Sequence, residues 1–325
     1  MGGIKAALGM SHGFIAIGAG LAIGLAAISA FGQGFVVSSG IAATTKDNKN
    51  FGKSLLFSVL PQTQSLYGFL IAILILVGGG IIGAFKPDIG LPVGLVAIGA
   101  GIAVGLGAVS AVGQGLVAAS SASVVSEDEK LFGKSILFSV LPETQALYGF
   151  LVAILLIASG GLLGAATNQL TIPIGLVAIG AGLSIGIACL SAIGQGIAAA
   201  SGVGSLREKD NIFGKSILFS VLPETQALYG IIISVLLLTG VGLLGTIKAG
   251  ITLVQGLGGI GIGVAMGLAA VSAVGQGVVS ASAIGGVVRD NKSTGKSLVL
   301  SVIPETYAIF GLLIAILLLI GLQLI

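Results

Sequence analysis

One cysteine, one histidine and no tryptophan occur in the 325 residues of this chain. A lone cysteine rules out a disulfide within the chain, and Cys189, set in an apolar run, reads as a small packing residue rather than a redox or metal group. Charge is also scarce: Asp, Glu, Lys and Arg together make 8% of the residues, against 55% hydrophobic. A chain so composed cannot present a mainly polar surface to water, which excludes an ordinary soluble globule. No nucleotide, haem or transition-metal cofactor is expected, and no nucleic-acid partner.

What is present is apolar length. Mean hydropathy is +1.17. Eight runs, at about 8–43, 53–85, 91–125, 134–166, 171–205, 214–247, 251–287 and 296–324, are each long enough for a bilayer core of roughly 30 Å. The sequence therefore predicts an all-α membrane protein of eight transmembrane helices packed against lipid. No soluble domain is expected between them, and "MGGIKAALGM" lacks the pattern of a removable signal. Lys5 and His12 read as polar residues near a helix end.

The runs repeat. Gln62, Glu143, Glu224 and Glu305 are spaced by 81 residues, and so are Gln33, Gln114, Gln195 and Gln276. The chain is therefore expected to be four tandem helical hairpins, at 1–88, 89–169, 170–250 and 251–325, the first without a carboxylate. A hairpin returns to its starting side, so all four share one orientation, unlike the inverted repeats of many transporters. The joints within the hairpins hold eleven of the fourteen Lys and Arg residues, which places them in the cytoplasm and both termini on the opposite side of a cell membrane of prokaryotic type. "GKS" at Gly52, Gly133 and Gly214 lacks the earlier glycine of a phosphate loop, since Asp47, Asp128 or Lys209 stands there. These segments read as helix starts with polar caps.

Within each hairpin the first helix is rich in small residues and the second is bulkier. Small-residue helices suit the inner radius of a ring, and bulky ones an outer layer.

Away from loops and helix ends the only ionisable acids or bases are Glu143, Glu224 and Glu305. Charge at depth costs at least a few kcal/mol, so three such carboxylates at one repeated position point to function. Antiparallel folding brings Gln114 to the depth of Glu143, Gln195 to Glu224 and Gln276 to Glu305, with Gln33 beside Gln62. At about 100° per residue, Leu141, Thr144, Gln145 and Tyr148 face roughly away from Glu143, so each second helix should serve two sites. Pro142 should disturb this backbone and free a carbonyl oxygen to coordinate.

That ligand face is complete in hairpin one (Leu60, Thr63, Gln64, Tyr67), hairpin two, and hairpin three (Leu222, Thr225, Gln226, Tyr229). In hairpin four Tyr307 and Phe310 follow Thr306 and replace the glutamine and the tyrosine. If each glutamate meets the face of the preceding hairpin, all three acquire a full set. The degraded face then falls opposite Gln62 and Gln33 at a seam between chains. Hydroxyl, amide and carboxylate oxygens suit a sodium ion, with a proton as the alternative; one negative charge per site disfavours divalent cations.

At these residues, "LPETQALYG" after "GQG" on the preceding helix, the sequence resembles the proteolipids (c or K) that form the rotor ring of V-type and archaeal-type rotary ATPases, over essentially the whole chain. The resemblance implies a homo-oligomeric ring that turns against a stator channel protein, with central-stalk subunits at the cytoplasmic loops and ATP handled in a separate soluble head, so this chain has no catalytic residue for ATP. It also implies sodium held by a leucine carbonyl, Thr, Gln and Tyr of one outer helix, an inner-helix Gln and the next outer helix's Glu. Two other classes compete: a secondary cation transporter, opposed by the direct repeats, and a structural ring-forming proteolipid, which has no use for three repeated carboxylate sites.

Overall fold

In the computed structural model, which describes residues 8–164 and 169–325, the chain forms eight long helical spans. They are α1 (Met10–Lys46), α2 (Asn48–Gly78), α3 (Leu91–Glu127), α4 (Glu129–Ser159), α5 (Ile172–Ser205), α6 (Phe213–Gly240), α7 (Leu253–Arg289) and α8 (Asn291–Gly321). Each is long and apolar enough to cross a bilayer, where backbone groups must be satisfied within the segment. A 37-residue span is roughly 55 Å long, more than the hydrocarbon core, so the loop ends of α1, α3 and α7 extend beyond it.

The second spans are displaced from the expected bounds. They stop earlier than 85, 166, 247 and 324 because Gly80, Gly161 and Gly242 adopt positive φ (70°, 81° and 80°) and close the helices in Schellman turns. Ile81, Leu162 and Leu243 N–H groups return to Leu76, Ile157 and Leu238 carbonyls at 3.0, 3.1 and 2.8 Å. In α8 the same turn uses Gln323 at φ 55°, with Leu324 N–H on the Leu319 carbonyl at 2.9 Å. Residues 165 and 166, the end of one expected span, lie outside the described residues, as does Lys5. Three second spans also begin earlier, through a 3-10 turn: Asp47, Asp128 and Asp290 carboxylates accept from the N–H groups of Lys49, Lys130 and Lys292 at 3.0, 3.0 and 2.9 Å. The "GKS" residues at Gly52 and Gly133 follow these caps inside the helix, while those at Gly214 follow Lys209, which makes no side-chain cap.

The first spans pack side by side in the order α1, α3, α5, α7, and each second span lies against its own first span, with little contact among the second spans. Glycine makes the row possible. A Cβ on Gly18, Gly99 or Gly180 would lie 2.4, 2.4 or 2.1 Å from the carbonyl oxygen of Ala97, Ala178 or Gly259 on the next span. Such approach leaves room for backbone alone. His12 sits in the first turn of α1, buried; its Nδ1 accepts from Gly9 N–H and its Nε2 donates to the Lys86 carbonyl, both at 3.2 Å, with the ring stacked on Phe85.

Candidate functional site

Each second span breaks near its middle at a proline: Pro61, Pro142, Pro223 or Pro304. Proline has no N–H, so the chain tightens locally, and Leu141 N–H bonds the Phe138 carbonyl at 3.2 Å. The leucine carbonyls before Pro61, Pro142 and Pro223 each accept from a side chain. Thr63, Thr144 and Thr225 hydroxyls reach back to the Leu60, Leu141 and Leu222 carbonyls, each at 2.9 Å, because threonine at three residues on faces that oxygen.

In α4 and α6 the break leaves the span's two faces aimed at different neighbours. Glu143 meets hairpin one: Thr63 Oγ1 and Tyr67 OH each lie 2.9 Å from its Oε1, and Gln114 Nε2 donates to its Oε2 at 3.2 Å. Glu224 meets hairpin two in the same way, through Thr144 at 2.7 Å and Tyr148 at 2.9 Å, with Gln195 of its own hairpin at 2.9 Å. Glu305 takes Tyr229 at 2.6 Å and Gln276 at 3.3 Å, while Thr225 turns to Leu222 and Gln226. Behind each carboxylate an amide relay runs inward: Gln64, Gln145 and Gln226 Nε2 donate to Gln114, Gln195 and Gln276 Oε1 at 2.7, 2.9 and 2.7 Å. All six glutamines are fully buried. The pairing with the preceding hairpin is therefore what the fold adopts.

The first site is crowded with oxygen. The Thr63 hydroxyl lies 2.9, 3.2 and 2.9 Å from the Leu60 carbonyl, Gln64 Oε1 and Glu143 Oε1. One hydroxyl has one hydrogen, so only one of these contacts can be a full hydrogen bond; the others bring oxygen atoms together without a proton between them. The donors around the carboxylate are neutral, and the ion pairs Lys46–Glu127, Lys53–Glu129 and Arg207–Glu127 lie in the loops. A monovalent cation among these oxygens, or a proton on the carboxylate, would relieve the crowding.

The seam residues are not brought together within one chain. Gln62 is exposed and Gln33 half-buried at the α1 end of the row, while Tyr307 and Phe310 are 64% and 62% exposed at the other, where Thr306 keeps the local bond to the Ile303 carbonyl at 2.8 Å. Two neighbours of the second site were missed in the sequence. Ser191 Oγ donates to Gln145 Oε1 at 2.6 Å, and buried Cys189 Sγ to the Gln145 carbonyl at 3.0 Å. The serine was legible as a repeat: Ser29, Ser110, Ser191 and Ser272 each precede the inner glutamine by four residues.

Tandem hairpins with a carboxylate in every second helix but one define a multi-pass membrane proteolipid. The sequence matches the family of the ATP synthase C subunit four times, at residues 17–75, 98–156, 179–237 and 260–318, and the chain belongs to that family. It is 49% identical over 228 residues to the A-type ATP synthase subunit K of Methanocaldococcus jannaschii, covering 70% of this chain and 92% of the relative. It is 38% identical over 120 residues to the V-type sodium ATPase subunit K of Enterococcus hirae (37% of this chain, 72% of that one). It is 32% identical over 111 residues to the 16 kDa proteolipid of the V-type proton ATPase of Rattus norvegicus (34% and 68%).

Proposed function

We propose that this chain is the rotor-ring proteolipid of a V/A-type ATPase or ATP synthase and carries sodium on Glu143, Glu224 and Glu305. The observation that carries the sodium reading is the Thr63 hydroxyl held against a carbonyl, an amide oxygen and a carboxylate, an oxygen set suited to replacing an alkali cation's water. Leu60, Thr63, Gln64, Gln114 and Glu143 would hold the first ion, with Tyr67 steadying the carboxylate; the corresponding residues of the next two hairpins would hold the others. The ion neutralises the glutamate, so the loaded site can pass lipid at lower cost than the bare charge. A stator channel protein would deliver and remove the ion, and the basic loops, on the cytoplasmic side, would meet the central stalk.

The ends of the helix row support a ring. Gly101 and Gly115 of α3 touch α1, where a Cβ would come 2.1 and 2.3 Å from the Gly18 and Gly32 carbonyls. Their counterparts on α1, Gly20 and Gly34, have nothing within 4 Å, and neither has Gly261 on α7, the counterpart of Gly18, Gly99 and Gly180. The two end faces are thus unused halves of a contact the chain makes three times internally. A second copy would complete it head to tail.

Relatives named for sodium and for protons both occur, and a proton needs only the carboxylate. Carbodiimide labelling of the carboxyls, with sodium titrated at several pH values, separates the two. Protection by sodium at neutral pH on all three glutamates is expected; protection that follows pH alone would overturn the sodium assignment. Isolation with a nucleotide-hydrolysing head is expected, whereas cation transport by the chain alone in liposomes would favour a secondary transporter.

A further inference from the structure

The chain holds its three outer glutamines in two different positions. In the second site Gln145 Oε1 accepts from Ser191 Oγ at 2.6 Å, and the Thr144 hydroxyl is left to Glu224 and Leu141. In the first and third sites the amide oxygen has turned the other way: Gln64 Oε1 and Gln226 Oε1 lie 3.2 and 3.4 Å from the Thr63 and Thr225 hydroxyls. There the corresponding serine oxygens, Ser110 Oγ and Ser272 Oγ, are buried and have no hydrogen-bond partner among the described residues. Nε2 stays on the inner glutamine throughout, at 2.7, 2.9 and 2.7 Å.

The relay fixes which end of the amide is which. Gln114 Nε2 donates to the Glu143 carboxylate, so its Oε1 is the acceptor for Gln64 Nε2. Gln64 Oε1 is then the one amide atom free to choose between threonine and serine. The serine stands four residues before the inner glutamine, on the same helix face, and at the second site it is Ser191 that takes the corresponding oxygen.

We propose that Ser110, Ser191 and Ser272 are positioning residues that draw the outer glutamine's oxygen off the ion, and so set how tightly each site holds sodium. The proposal rests on the sodium reading of the three glutamates. A cation at the carboxylate pulls Oε1 toward threonine and leaves the serine hydroxyl buried without a partner, which costs free energy. Without a cation the oxygen is free to take the serine hydroxyl, as Gln145 does. The hydroxyl therefore favours the empty state, a useful bias in a site that must release its ion every turn.

The test uses the intact ring with S191A, labelled by carbodiimide while sodium is titrated at fixed pH, and each glutamate quantified on its own peptide. The half-protecting sodium concentration at Glu224 is expected to fall about two- to tenfold, the net worth of one hydrogen bond. Glu143 and Glu305 of the same ring should stay unchanged, as should the pH profile of labelling without sodium. S110A, which removes a hydroxyl that bonds nothing, should shift Glu143 alone and stands in if S191A rings do not assemble. No shift at the substituted site, or a common shift at all three glutamates, overturns the proposal while leaving the sodium reading intact. Sodium that protects no glutamate of the unsubstituted ring overturns both.

Discussion

The phenol of Tyr67 lies 2.9 Å from Oε1 of Glu143, 76 residues further along the chain. Hairpin one, which carries Gln62 where the others carry a glutamate, thus donates to the carboxylate of hairpin two. The relationship recurs between Tyr148 and Glu224 and between Tyr229 and Glu305, at 2.9 and 2.6 Å.

Removing that phenol should be felt one hairpin away. For Y67F, the half-protecting sodium concentration at Glu143 should rise roughly tenfold, since a hydrogen bond to a charged group is worth more than a neutral one. Glu224 and Glu305 keep their own donors and should be unmoved. Labelling resolved by peptide checks this.

Restoring a carboxylate at the seam should not restore a site. Q62E is expected to react with carbodiimide whether or not sodium is present, because Tyr307 and Phe310 supply neither amide nor phenol in the required places. The triple change Q62E, Y307Q and F310Y should bring sodium protection back. Protection of Q62E alone would mean that the seam holds some other ligand set.

Glycines on the free edge should separate folding from assembly. At Gly34 a Cβ would meet nothing within 4 Å among the described residues, whereas at Gly115 it would lie 2.3 Å from the Gly32 carbonyl. G34L should give a folded, helical protein that fails to close into rings, while G115L should lower the yield of folded protein. Electrophoresis of rings and circular dichroism distinguish the two defects.

The loop ion pairs should matter little to stability. Arg207 and Glu127 lie 3.1 Å apart, with side chains 37% and 46% exposed. R207A is expected to change stability by less than about 1 kcal/mol, read as a small thermal shift in detergent.

The candidate sites were legible because their chemistry repeats. Three half-buried carboxylates at one spacing, and a helical face that is intact in three hairpins and degraded in the fourth, point to both the partners and the direction of pairing. The helix ends were not legible in the same way. Hydropathy continues past Gly80 and Gly161, and the chain stops there because a left-handed turn closes the helix, not because it becomes polar. Ser191 escaped notice for another reason. Serine is common in close-packed membrane helices, so its repeat ahead of the inner glutamines carries no role until the bond to Gln145 supplies one.

Four hairpins share one covalent chain, and that sets the arithmetic of any ring closed from it. The number of hairpins in such a ring is a multiple of four, so circumference can change only in large steps. With one ion on each of Glu143, Glu224 and Glu305, as proposed, the ions carried per turn would come in threes. A gain or loss of one chain, which would barely alter a ring of single hairpins, would here be a change of gear.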